Sequence, residues 1–79
     1  MARYFFDMND GDFSSRDEEG AQFAIFEDVE SEAVRAITDL VRGARSASKL
    51  TNIGVAVRNE AGQTILTMRL TLDIVRTPQ

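Results

Sequence analysis

The first groups in this sequence with the spacing for chemistry are acidic. Asp7-Met8-Asn9-Asp10-Gly11-Asp12 alternates oxygen-bearing side chains, and Glu18 falls at the twelfth position counted from Asp7. This is the outline of a calcium loop. Such a loop needs Gly at its sixth position for the sharp turn, and helices on both sides. Here Gly11 is fifth, Asp12 is sixth and a strand-like run precedes, so the segment reads as a solvated hairpin turn with no metal ligand assigned. Asp17-Glu18-Glu19 is a second cluster, suited on paper to a divalent ion shared with Asp10 and Asp12 or to a general acid and base. Catalytic carboxylates need burial or close like charges to move their pKa. Three consecutive acids before Gly20 read instead as an exposed loop, and no catalytic residue is assigned.

The 79 residues contain no His, Cys or Trp. That removes an imidazole base, thiolate chemistry, disulfides and Cys/His zinc sites. No cofactor is implied, and the expectation is a protein that is not an enzyme. The basic residues offer one arrangement. Arg35, Asp39 and Arg42 lie at i, i+4 and i+7 of a helical pattern, with Arg45 close by angle. One reading is a phosphate-binding ridge on a regulatory nucleic-acid-binding module. The preferred reading is a solvent face with Arg35–Asp39 and Asp39–Arg42 pairs. The chain carries a net charge of -4 and lacks the basic–aromatic interleaving that nucleic-acid surfaces use. Charge is nonetheless split: residues 1–32 hold ten acids and two bases, residues 33–79 three acids and seven bases.

These groups must be positioned by few elements. Residues 3–8 alternate as a strand, with Tyr4, Phe6 and Met8 on one face and Arg3, Phe5 and Asp7 on the other. Asp10-Gly11 suits a tight hairpin turn. A weak second strand over 12–16 is expected at a sheet edge, followed by a polar loop at 17–20. Residues 21–26 read either as a strand fragment or as a packed loop. The clearest element is a helix from Asp28 to Arg45, where Val29, Ala33, Ile37, Leu40, Val41 and Ala44 form one stripe and Asp28 serves as N-cap. A loop follows at 46–49. Residues 52–59 form a strand with Ile53, Val55 and Val57 inward, and Glu60-Ala61-Gly62 turns into a last strand with Leu66, Met68, Leu70, Leu72 and Ile74 on one face. The whole chain is then a single two-layer α+β domain, β-β-α-β-β, with a mainly antiparallel sheet and one helix packed on one face.

Such a domain has more Phe than its core obviously takes. Phe5, Phe13, Phe23 and Phe26 either lie under the 21–26 segment or form an apolar patch for self-association. Phe5, Phe23 and Phe26 are the candidate interface residues, and Arg35, Arg42 and Arg45 the candidate contacts under the nucleic-acid alternative. The expected partner is a second copy of the chain, giving a homodimer, or another protein. No apolar run approaches the roughly 20 residues needed to span a bilayer, and the opening residues are not those of a signal peptide. The expected location is the cytoplasm, with no membrane contact.

Arg3-Tyr4-Phe5-Phe6-Asp7, Asp10-Gly11, Asp17-Glu18-Glu19-Gly20 and Val57-Arg58-Asn59-Glu60-Ala61-Gly62 together resemble an uncharacterised family of short rhizobial and related alphaproteobacterial proteins. Its members open with R-Y-F-F, continue with D-G and D-E-E-G, and carry a late V-x-D-x-x-G turn. This chain has Asn59 where that turn often has Asp. The resemblance implies a bacterial, stand-alone small domain of unknown function, and it transfers no catalytic or binding role to any residue.

Overall fold

The computed structural model describes residues 1–11, 13–44 and 52–78. The elements run β1 (Ala2–Asn9), β2 (Ser14–Ser15), β3 (Ala21–Phe23), α1 (Phe26–Gly43), β4 (Ile53–Arg58) and β5 (Thr64–Leu70). The sheet is antiparallel in the order β2-β1-β4-β5, and β3 also pairs with β1. One helix lies on one face of it, the α+β layering that the hydrophobic periods require. Arg45, the loop expected at 46–49 and Asp12 fall outside the described residues.

Hydrophobic period explains the core. Val29, Ala33 and Ile37 recur at steps of four on α1 and are buried, and Ile53, Val55 and Val57 recur at steps of two on β4 and are buried. Phe6 lies opposite Val57, and Met8 opposite Val55. Leu66, Met68 and Leu70 of β5 are half-buried on the same face, packed around this centre with Tyr4, Phe23, Leu40 and Val41. Each fully buried Val or Ile contributes about 1.5–3 kcal/mol, so β4 and α1 carry much of the domain's stability.

The helix begins at Phe26, two residues before the Asp28 N-cap expected from propensity. Ile25 holds the cap position with no side-chain hydrogen bond, and Asp28 sits in the first turn, its N–H donating to the Ile25 carbonyl (3.1 Å). The Phe26 ring packs edge-on to Tyr4, at 6.2 Å between centroids, which draws the helix start back toward β1. At the other end the helix stops at Gly43, and the Ala44 N–H donates to the Val41 carbonyl. The last strand is also shorter than its alternation: it ends at Leu70, opposite Ile53, the first residue of β4. Leu72 and Ile74 continue the pattern without a strand partner among the described residues, and Ile74 is 64% exposed.

The outer edge of β1 is covered twice. Met8 and Asn9 pair with Ser15 and Ser14 through a turn in which Asp10 Oδ1 accepts the Phe13 N–H (2.8 Å) and Asn9 Oδ1 accepts the Gly11 N–H (2.8 Å). Ala2, Arg3 and Tyr4 pair with Phe23, Gln22 and Ala21. Residues 21–23 are therefore an edge strand, not a cover for the open sheet face. Between the two pairings, β1 residues 5–7 face the five residues 16–20, so the edge strand is broken by a wide bulge.

Candidate functional site

The bulge opposite residues 5–7 leaves backbone donors that need partners, and Asp17 supplies them. Its Oδ2 accepts the Phe6 N–H (3.0 Å), and its Oδ1 accepts the N–H groups of Glu19 (3.1 Å) and Gly20 (3.0 Å). Its own N–H donates to Asp7 Oδ1 (2.9 Å). Asp7 in turn receives the Arg58 guanidinium in bidentate fashion, Nε to Oδ2 at 2.6 Å and Nη2 to Oδ1 at 3.1 Å. Arg58 Nη2 also reaches the Asp17 carbonyl (2.7 Å), and the guanidinium lies 5.0 Å from the centroid of the Phe5 ring. The Arg58 hydrogen bond, against a smaller opposing effect of burial, holds Asp7 below the usual carboxylate range. Burial pushes Asp17 up, but the three backbone donors together outweigh it and its pKa is also lowered.

This clasp corrects the reading of 17–19 as three solvated acids. Glu18 and Glu19 are exposed, whereas Asp17 is half-buried and hydrogen-bonded throughout. It also explains Gly20, which adopts φ +70° with its Cα against β1. A Cβ there would lie 2.8 Å from the Tyr4 carbonyl oxygen and 2.9 Å from the Phe5 ring. The missed signal is the spacing Asp17-x-x-Gly20, in which an Asp side chain caps N–H groups two and three residues on.

The candidate interface aromatics separate. Phe5 lies between Arg58 and Gly20. Phe23 is half-buried, its ring 6.2 Å from Tyr4 and 5.8 Å from Phe6. Phe26 is 42% exposed, and Phe13, in the β1–β2 turn, is 76% exposed. On the helix, Arg35 reaches Glu32 (3.5 Å) and not the expected Asp39, while Arg42 lies 3.8 Å from Asp39. Among the described residues no group of three acids is placed to hold a metal ion, and no helix is long and apolar enough to cross a membrane.

The opposite margin of the sheet is different. Antiparallel strands direct successive backbone groups to alternate sides. Phe6 directs its N–H outward to Asp17, so Phe5, Asp7 and Asn9 face β4. Carried across β4, the same alternation turns Leu66, Met68 and Leu70 toward β4 and leaves the N–H and C=O of Thr67 and Arg69 on the outer edge of β5. No described strand covers that edge. Beside it runs a groove of about 330 Å³ between α1 and β5, lined by Val34, Ile37, Thr38, Val41, Met68 and Leu70, with Arg69 at its margin. Val34 is exposed here, as are Ile74 and Val75 in the segment that follows β5.

A family model described as a domain of unknown function, DUF6894, matches residues 3–71. The chain belongs to the DUF6894 family. The DUF6894 match takes in the helix, the Asp7–Asp17–Arg58 clasp and all of the strands but Ala2, the first residue of β1, and it ends just past β5, leaving residues 72–79 beyond it. No curated protein and no solved structure matches the chain.

Proposed function

We propose that this domain is a non-enzymatic interaction module that docks another polypeptide strand along the outer edge of β5. The observation that carries this reading is the pairing of an open strand edge with an apolar groove beside it. Strand addition uses both: main-chain hydrogen bonds supply affinity, and alternate side chains entering a groove supply specificity. The acidic residues argue against catalysis. Asp7 and Asp17 are held ionised and saturated with donors, the reverse of what a general acid needs. The nucleic-acid alternative loses support because Arg35 and Arg42 each lie beside a carboxylate.

Amide hydrogen exchange tests the proposal. The amides of Leu66, Met68 and Leu70, which face β4, are expected to be protected at every concentration. Those of Thr67 and Arg69 are expected to exchange quickly in dilute protein, at about 10 μM, and to gain protection of about tenfold or more near 1 mM or when a strand-donating partner is added. Fast exchange at Thr67 and Arg69 under all of these conditions contradicts it.

A further inference from the structure

We infer that the strand docked on β5 belongs to a second copy of the same chain, paired antiparallel across a two-fold axis at Thr71. This rests on the strand-docking reading and names its occupant. The segment after Leu70 has the chemistry of a strand without a ladder. Leu72 and Ile74 extend the helix-side face of Leu66, Met68 and Leu70, while Thr71 and Asp73 extend the opposite face of Thr67 and Arg69. The segment is exposed apart from Leu72, with Val75 87% accessible. Arg69 and Asp73 form no ion pair among the described residues. Four residues apart on an extended chain, they lie roughly 13 Å from each other, too far to pair within one copy.

Charge and hydrogen bonding then select the register. A two-fold axis at Arg69 or at Asp73 sets like charges opposite one another, which is destabilising. An axis at Leu70 leaves Asp73 opposite Thr67, and an axis at Leu72 leaves Arg69 opposite Val75. An axis at Thr71 places Arg69 of each copy opposite Asp73 of the other, so the ion pair forms twice. The same register sets Leu70 opposite Leu72 and Met68 opposite Ile74, on the face that borders the groove at Val34, Thr38 and Val41. It also satisfies the backbone. Thr67 and Arg69 direct their N–H and C=O outward, and continuing the alternation gives Thr71, Asp73 and Val75 the same direction, so each meets a residue whose groups point back at it. The paired region lies mostly on exposed chain, and the two helices come to lie on one side of a continuous sheet.

The absence of Cys makes the register directly readable. In a hydrogen-bonded antiparallel pair the two copies of residue 71 have Cα atoms about 5.5 Å apart, within the range a disulfide spans. The two copies of residue 67 would be eight residues apart along the strands, about 27 Å. Thr71→Cys is therefore expected to form a covalent dimer in a glutathione redox buffer, while Thr67→Cys remains a single chain. Failure of Thr71→Cys to cross-link, or equal cross-linking of Thr67→Cys, overturns the register. Arg69→Asp and Asp73→Arg are each expected to weaken self-association by about tenfold or more, and their combination to restore it. A double variant as weak as the singles also overturns the pairing. If Thr67 and Arg69 amides gain protection while Thr71→Cys fails to cross-link, the two-fold register falls and strand docking stands. If those amides stay unprotected at every concentration and with a strand-donating partner added, both fall.

Discussion

Ile37→Asp is expected to leave the chain unfolded at 25 °C. Ile37 is buried on the helix face that meets the sheet, in one cluster with Val29, Ala33, Ile53 and Val55. The substitution forfeits about 2–4 kcal/mol of apolar burial and packing, and it adds the cost of a carboxylate with no partner in that cluster, several kcal/mol more. A chain of 79 residues has only about 4–12 kcal/mol of total stability. Circular dichroism should show lost helical signal and no cooperative thermal transition. In dilute protein, at about 10 μM, where the docking groove beside β5 is empty, Val34→Asp, on the same helix but 52% exposed, is the control and should melt close to the parent. A parent-like melting curve for Ile37→Asp contradicts the packing of α1 described above.

Asp17→Ala is expected to cost about 3 kcal/mol, because it removes an ionised acceptor from three backbone N–H groups, some of which water can reach to replace it. For a domain of this size that corresponds to a fall in Tm of about 15 °C. The loss should depend on pH. Asp7 and Asp17 both have lowered pKa values in the folded state, so the unfolded chain takes up protons first as the medium is acidified. Their contribution is complete about one pH unit or more above the unfolded carboxylate value near 4, and drains away as pH falls from about 5 toward the lowered folded values. Urea unfolding at several pH values between 7 and 3 should show a steep acid loss in the parent and a shallower one in Asp17→Ala. Parallel curves would remove Asp17 from the acid-sensitive set.

The helix stripe, the inward face of β4 and the Asp10-Gly11 turn are legible in the sequence because each follows from a local period or a backbone preference. The features that escaped depend on contacts between distant segments. Asp28 has better capping chemistry than Ile25, yet the Phe26–Tyr4 contact decides where α1 begins. Residues 66–74 alternate without interruption, but the strand stops at Leu70 because its partner β4 starts at Ile53. Asp17 is hidden among acids of the same type, and only the break in the strand beside β1 gives its carboxylate three donors. The aromatic surplus left two readings open, an exposed patch or a cover by residues 21–26; Phe5 lies against Arg58 and Phe23 against Tyr4 and Phe6, while Phe26 is 42% exposed. The open apolar edge lies across the sheet at β5, where the residues are ordinary aliphatics and only the strand order marks them as unpaired.

The most direct test of strand docking on β5 by a second copy is the mass of the protein in solution, measured by light scattering from about 10 μM to 1 mM, a range over which a weak strand-paired dimer forms. The mass should rise with concentration from 8.8 kDa toward twice that value. A mass of one chain across the whole range would contradict it.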